Sequence, residues 1–366
     1  MRFGRLKVLG LAAAILTALV TTPAPSATGA PLNGTSRTEY TLGDTAFTVP
    51  GFLDEEREKE AKIELAAVVH YPQSARGPRP VVMLAHGYWE TCDGDEARNW
   101  SWPCPAGTPP VRSYTGYDYL AKALAEQGFV AVSVGVNGIN AGEIGPPSDM
   151  ARAALVNKHL EMLRDANDGK GPLAERLRAL RGRLDLTDVG LMGHSRGGRG
   201  VAWQAADIHA GDLPHGVRLR AAVPLAPADY AVTNGDPDSP EHLDYRITKI
   251  PFAVLAGDCD GGASMNRRTF ARNAAGRNEA PFYEVDLAGA NHNFFNSAWA
   301  YDNDSGCDPQ DTWSAPQVQD ITSRYIVSFF RFHLLGDQSV KDTVLNGVPG
   351  TRVTTHQPVT RPASRG

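Results

Sequence analysis

The feature that most constrains the fold is a series of short apolar runs that alternate with helical patterns. The runs lie at residues 80–85, 129–134, 189–192, 221–226, 251–256 and 282–287. Between and after them, the spacing of apolar residues predicts helices at 117–127, 147–168, 172–184, 198–206 and 316–335. Continuous apolar runs are typical of strands buried on both faces, and strands joined through helices run parallel. We therefore expect an α/β fold with a mostly parallel twisted sheet and helices on both faces.

A serine between two glycines follows one of these runs. Residues 193–197 read Gly-His-Ser-Arg-Gly and precede a predicted helix. Glycines at such a junction let strand and helix approach closely, so the motif predicts a sharp turn. The turn would expose the hydroxyl of Ser195 and direct the amide of Arg196 at a carbonyl under attack. A contact between small residues is the structural alternative for this motif.

Candidates for an acid and a base follow two later strands. Asp260 comes shortly after the run at 251–256, and His292 comes shortly after the run at 282–287. Ligands bind at the carboxyl ends of the strands in an open parallel sheet, so both side chains can meet Ser195 there. A serine hydroxyl needs a base, and an imidazole base needs a carboxylate to fix its tautomer. The order Ser195, Asp260, His292 therefore predicts a catalytic triad.

Other residues compete for these roles. Asp258 and Asp229 also follow predicted strands and are alternative acids. His86 begins His-Gly-Tyr directly after the first run, and we interpret its imidazole as a structural hydrogen-bond partner in a loop beside the serine. The remaining histidines are interpreted as surface or core residues.

Together, these motifs resemble the α/β-hydrolase family over residues 60–337. The resemblance implies the α/β-hydrolase fold and acyl transfer by Ser195, Asp260 and His292. It also implies an oxyanion hole made by the backbone amides of Tyr88 and Arg196, and no cofactor. These motifs are specific for the fold and the chemistry, and they leave the substrate open.

Within that family, the chain is most similar to secreted actinobacterial esterases, including cutinase-like polyester hydrolases. Tyr88 follows His-Gly as in those enzymes, and residues 292–296 match their His-x-x-x-Asn segment. Arg196 departs from them, since they carry Met there, and the insert after Tyr88 is longer. Arg196 also resembles the arginine of glucuronoyl esterases, which helps to hold the oxyanion. The alternative is that Arg196 contributes only its amide and pairs with a structural carboxylate.

Four cysteines are present, and export would favour two disulfides over free thiols or metal ligation. Of three possible connectivities, Cys92 with Cys104 would close a local loop. Cys259 with Cys307 would tie the turn of the predicted acid to the segment after the predicted base. We expect this second bridge to stiffen the loops that hold the two residues.

The loop between Cys92 and Cys104 is the predicted specificity element. It carries Trp100 and Trp102 with the acidic residues at 93, 95 and 96, and Trp89 lies just before it. Exposed indoles beside a cleft can stack on sugar rings or grip acyl groups, so the three tryptophans are candidate substrate-binding residues. The alternative is that they pack beneath the loop.

The two ends of the chain differ in composition from the middle. Residues 1–30 combine early basic residues, an apolar stretch at 8–20 and small residues, which predicts a signal peptide and a secreted, extracellular protein. The stretch is too short for a stable membrane anchor. We expect a catalytic domain at 31–338 and a C-terminal tail at 339–366 that is partly disordered or covers a sheet edge.

Charge and acidic motifs limit the partners. A net charge of −5 without a basic stripe argues against nucleic acid. Asp302-Asn303-Asp304 begins like a calcium loop but lacks the later ligands, so no metal and no cofactor are assigned. The favoured hypothesis is a monomeric, secreted serine hydrolase acting on a small or polymeric carboxylic ester. A peptidase or amidase with the same triad and a catalytically idle binding protein are the alternatives.

Overall fold

The computed structural model of the protein describes residues 34–74, 77–94, 99–230, 236, 238–299, 301 and 305–359. The expected signal peptide lies outside them, as do the loop residues Asp95, Glu96, Asp302 and Asp304. Within the described residues the chain forms one nine-stranded sheet with helices packed on it. No helix in this part of the chain is long and apolar enough to cross a membrane.

The strands are β1 Thr35–Thr41, β2 Ala66–Pro72, β3 Arg79–Ala85, β4 Val130–Val134, β5 Leu184–His194, β6 Leu219–Leu225, β7 Phe252–Gly257, β8 Phe282–Leu287 and β9 Thr351–His356. The α-helices are α1 Asp118–Glu126, α2 Asn137–Asn140, α3 Pro146–Asn167, α4 Arg196–Ala205, α5 Pro240–Leu243, α6 Arg267–Ala274, α7 Ala315–Leu335 and α8 Lys341–Asn346. The six apolar runs of the sequence are strands β3 to β8. The expected α/β class is therefore confirmed.

The strand order across the sheet is β1-β2-β4-β3-β5-β6-β7-β8-β9. The neighbouring strands in the stretch β4-β3-β5-β6-β7-β8 of this order pair in parallel. The pairs β1 with β2, β2 with β4 and β8 with β9 are antiparallel. Because β3 to β8 all point the same way, their carboxyl ends lie along one edge of the sheet.

The sheet separates two apolar cores, and alternate residues of each strand enter different cores. In β3, Val81 and Met83 enter the core under α3, α4 and α6, while Val82 and Leu84 enter the core under α1, α7 and α8. All four are almost fully buried, which stabilises the fold by about 1.5–3 kcal/mol per side chain. This burial on both faces explains why the runs are almost entirely apolar, with Ser133 in β4 and Glu284 and Asp286 in β8 as the exceptions.

The helix expected at 172–184 is not formed. The segment contains turns and a 3-10 helix at Arg178–Leu180, and β5 already begins at Leu184. Gly182 has a φ of +67°, a conformation that no α-helix accommodates. Leu173, Leu177 and Leu180 are buried at helix-like spacing. The periodic pattern therefore arises because these three side chains hold short turns against the core, and not because the segment is an α-helix.

The segment after residue 338 is structured as far as residue 359. It forms α8 and then β9, which pairs antiparallel with β8 over its full length. The Phe282 ring stacks on His356 with centroids 4.1 Å apart. Residues 339–356 therefore belong to the sheet domain and cover its edge, so the expected boundary at 338 does not divide the structure.

Candidate active site

Ser195 occupies a strained turn between β5 and α4. Its φ of 57° and ψ of −123° lie in a region that residues with a side chain rarely adopt. A Cβ on Gly193 would lie 2.1 Å from the carbonyl oxygen of Gly197, and one on Gly197 would lie 2.5 Å from that of His86. Only glycine fits at 193 and 197, and these two residues let the turn close under Ser195.

Three side chains form one line of hydrogen bonds at the carboxyl ends of the strands. Ser195 Oγ lies 2.9 Å from His292 Nε2, and His292 Nδ1 lies 2.8 Å from Asp260 Oδ2. Asp260 is buried, and its Oδ1 accepts the amides of Gly262 and Ala263 at 3.1 and 2.7 Å. A carboxylate at Nδ1 holds the proton there, which leaves the Nε2 lone pair free for the serine proton.

The other candidate acids have different partners. Asp258 Oδ1 accepts the amide of Gly289 at 2.7 Å. The main-chain carbonyl of Asp229 accepts a hydrogen bond from Arg199 Nη1 at 3.0 Å. Asp260 is therefore the acid that meets His292.

The loop after β3 lies directly against the serine. A Cβ on Gly87 would lie 2.6 Å from the Cβ of Ser195, so this approach requires glycine. The Gly87 carbonyl accepts hydrogen bonds from Asn140 Nδ2 at 3.0 Å and from His86 Nδ1 at 2.9 Å. That carbonyl and the amide of Tyr88 belong to one planar peptide unit and point in opposite directions, so fixing the carbonyl also fixes the amide.

The amides of Tyr88 and Arg196 are free to bind an anion. Neither has an acceptor among the described residues. Arg196 is the first residue of α4, where amides have no partner within the helix and the helix dipole favours negative charge. The two residues predicted for an oxyanion hole thus lie on the two segments that flank Ser195.

His86 is a structural histidine. The amide of Val136 donates to its Nε2 at 2.9 Å, so the ring proton resides on Nδ1 and is donated to the Gly87 carbonyl. Burial lowers the pKa of His86 to about 3, which keeps the imidazole neutral. His86 therefore positions the loop.

Asn140 connects this loop to a buried network that the sequence did not reveal. Its Oδ1 accepts a hydrogen bond from Arg152 Nη2 at 2.6 Å, and Arg152 Nη1 donates to the Ser148 carbonyl at 3.1 Å. Burial lowers the pKa of Arg152 to about 9. The neighbouring Asp149 is also buried and pairs with Arg199 at 2.7 Å. No local motif marks these residues, since the contacts of Asn140 with Gly87 and of Asp149 with Arg199 each join residues about 50 positions apart in the chain.

Glu64 fixes the short helix α2 that carries Asn140. Its carboxylate accepts the amides of Asn137 at 2.6 Å and Gly138 at 2.8 Å. Burial raises the pKa of Glu64 to about 7. This carboxylate therefore supports the loop beside Ser195 indirectly, because it holds the helix whose Asn140 binds that loop.

The three candidate tryptophans occupy different positions. Trp100 is partly exposed and stacks on Tyr88, with centroids 4.4 Å apart. Trp89 is buried and stacks on Trp299 at 4.8 Å, so it packs beneath the surface. The indole N–H of Trp102 donates to the Asp44 carbonyl at 2.8 Å and anchors the loop. Of the three, Trp100 extends the surface beside Tyr88.

Trp299 is a neighbour of the serine that the sequence did not single out. Its ring would lie 3.2 Å from a Cβ on Gly87, and its indole N–H donates to Ser113 Oγ at 3.1 Å. The ring also lies 5.0 Å from that of His194, itself 4.9 Å from the ring of His292. The rings of Trp299 and His194 therefore pack in a series that ends at the imidazole of His292 and supports it.

Both expected disulfides are present. Cys92 pairs with Cys104, and Cys259 pairs with Cys307. The second bridge adjoins Asp260, and the amide of Gly306 donates to the Cys259 carbonyl at 2.7 Å. The turn of the acid is thereby tied to the segment after His292.

Among the described residues, no group of three or more His, Cys, Asp or Glu side chains is arranged to hold a metal ion. The acidic residues Asp302 and Asp304 lie outside these residues. Comparison of the chain with models of known families and with curated proteins finds no match.

Proposed function

We propose that this protein is a serine hydrolase of the α/β-hydrolase type that cleaves carboxylic esters. The observation that carries the proposal is the unbroken line of hydrogen bonds from Ser195 through His292 to Asp260. The order of these residues, the turn after β5 and a glycine-containing loop after β3 are the features expected of this fold.

The chemistry begins with proton transfer. His292 Nε2 takes the proton of Ser195 as Oγ attacks the ester carbonyl, and Asp260 stabilises the imidazolium. The amides of Tyr88 and Arg196 stabilise the oxyanion of the tetrahedral intermediate. His292 then protonates the leaving alcohol, which leaves an acyl group on Ser195.

Water completes the cycle. His292 removes a proton from water, the hydroxide attacks the acyl-enzyme, and Ser195 regains its proton as the acid departs. No step requires a cofactor. The two disulfides fit an oxidising compartment, so we also propose that the enzyme acts outside the cytoplasm.

A fluorophosphonate probe and a series of p-nitrophenyl esters of increasing acyl length test this function. We expect one adduct on Ser195 and turnover of short esters. Ser195→Ala should lose the adduct and at least about 10⁴-fold in kcat. Ser323→Ala, a serine on α7, is the matched control and should keep both. A folded protein that neither reacts with the probe nor cleaves any ester would disprove the proposal.

A further inference from the structure

The guanidinium of Arg196 is held beside the serine by an aromatic stack. Its Cζ lies 3.7 Å from the centroid of the Tyr88 ring, and the Trp100 ring lies 4.4 Å from the same centroid at an angle of 15°. Two groups this close to one centroid cannot share a face, so Tyr88 is sandwiched between Trp100 and Arg196. The stack, together with a hydrogen bond between the Arg196 and Tyr88 side chains, fixes the plane of the guanidinium, whose five N–H donors are more than this one bond uses.

Arg196 has no carboxylate within ion-pair distance among the described residues. Within the described part of the chain it forms no ion pair, whereas Arg199, three residues later, pairs with Asp149 at 2.7 Å. Burial lowers the pKa of its guanidinium, and the charged and titratable groups that interact with it include Tyr88, Arg199, Asp149 and Arg152. The alternative from sequence, in which Arg196 pairs with a structural carboxylate, is therefore not what the structure contains.

A partly buried cation that lacks an ion-pair partner lowers the stability of the protein unless a ligand supplies the opposite charge. A planar guanidinium matches a carboxylate through two parallel hydrogen bonds. The side chain is already held by the stack, so binding such a group costs little side-chain entropy. The chain has a net charge of −5, so general electrostatic attraction does not favour anions.

We propose that the Arg196 side chain forms an anion subsite, and that the preferred substrates are esters with a free carboxylate a few bonds from the scissile carbonyl. This rests on the proposed function, since it names the substrate class of the same site. The Arg196 amide serves the oxyanion in every ester, while its side chain distinguishes anionic esters from neutral ones.

Matched ester pairs test the subsite. Monomethyl succinate against methyl butanoate places the carboxylate on the acyl side, and 4-acetoxybenzoate against 4-acetoxybenzamide places it on the alcohol side. We expect kcat/KM to favour the anionic member of at least one pair by about 10-fold at low salt. Arg196→Gln should bring that ratio close to one, and Arg196→Lys should retain part of it.

The control variant is Arg220→Gln, because Arg220 lies near the start of β6, at the opposite edge of the sheet. Its ratio should equal that of the wild type. No anionic preference in the wild type, or a preference that survives Arg196→Gln, would overturn the proposal.

A binding measurement separates this proposal from the proposed function. Calorimetry with Ser195→Ala should detect monomethyl succinate, and the double variant with Arg196→Gln should bind it about 10-fold more weakly. Equal affinity of the two variants would overturn the subsite even if the enzyme cleaves esters. If none of the esters is hydrolysed but the two variants still differ in affinity, the proposed esterase function is overturned and the subsite is not.

Discussion

Asp258 and Asp260 lie two residues apart on one turn, and their hydrogen bonds give them different roles. Asp260 bonds to His292 and to two backbone amides, whereas Asp258 bonds to the amide of Gly289. Both are carboxylates at the end of the same strand. The pair therefore offers an internal comparison between a residue that orients the base and one that holds a loop.

Asp260→Asn should lower kcat by about 10⁴-fold, because the amide no longer stabilises the required histidine tautomer or the imidazolium. Asp258→Asn should retain most of the kcat and lower the free energy of unfolding by less than about 1 kcal/mol, because the amide oxygen of Asn can still accept the Gly289 amide. Ester hydrolysis and urea denaturation of both variants check this. Equal losses of kcat in the two would contradict the assignment.

Residues with a motif were predictable, and residues that support them were not. Ser195, Asp260 and His292 each follow a buried strand, so the ends of the strands place them together. Asn140 contacts the loop beside Ser195 at Gly87, and Glu64 contacts the helix that carries Asn140; each of these partners is distant in sequence. Their neighbours in the chain carry no pattern, and only the folded structure brings them to the site.

At the scale of elements, burial separates most of the strands that the sequence revealed from the edge strands that it did not, and β2 is the exception, since it is buried but His70 and Tyr71 interrupt its apolar pattern. β3 to β7 have central stretches that are buried on both faces and therefore read as apolar runs, and β8 keeps the signal although Glu284 and Asp286 are only partly buried. β1 and β9 lie at the edges and are only partly buried, with polar residues such as Thr and Arg in both. Such strands lack a distinct pattern, because pairing with a neighbour rather than burial holds them in place.

The two disulfides should stabilise the fold unequally. Cys259 and Cys307 are separated by 48 residues, and Cys92 and Cys104 by 12 residues. A longer closed loop removes more entropy from the unfolded chain, so Cys259→Ser with Cys307→Ser should cost about 1 kcal/mol more than the other double variant. Urea denaturation measures both.

The same variants have different expected effects on activity. Loss of the Cys259 bridge should also lower kcat, since the turn of Asp260 loses its covalent tie to the segment after His292. Loss of the Cys92 bridge should mainly raise KM, because it loosens the loop that carries Trp100. An identical change of kcat and KM in the two double variants would count against these roles.

At the scale of the whole molecule, buried histidines couple stability to pH. Burial lowers the pKa of His86 and His159 to about 3 and that of His333 to about 4. Below pH 6.5 the unfolded state therefore binds more protons than the folded state, and stability falls as the pH falls. Glu64 acts in the opposite sense, because its raised pKa of about 7 favours the folded state at low pH.

The three histidines outweigh Glu64, so the free energy of unfolding should decrease from pH 7 to pH 5. Each histidine contributes up to about 1.4 kcal/mol per pH unit in this window. Urea denaturation at several pH values should show the slope, and His159→Gln should reduce it. His215→Gln, at an exposed histidine, should not change it. Stability that is flat or rises towards pH 5 would refute this balance.

β9 is the last strand of the sheet to be synthesised, and this affects when the sheet can be completed. The ribosome makes Ser195, Asp260 and His292 before it makes β9. Roughly 60 residues separate β8 from β9, which corresponds to roughly 3–12 s of translation. We expect the edge of β8 that β9 covers to stay unpaired through that interval, and unpaired edges favour pairing with other chains. Glu284 and Asp286 place two negative charges on β8, where His356 and Arg352 each later bind one at 2.9 Å. We expect Glu284 above all to keep this edge solvated until β9 forms, since Asp286 also pairs with Arg267 on α6, and in the folded protein both carboxylates bind β9.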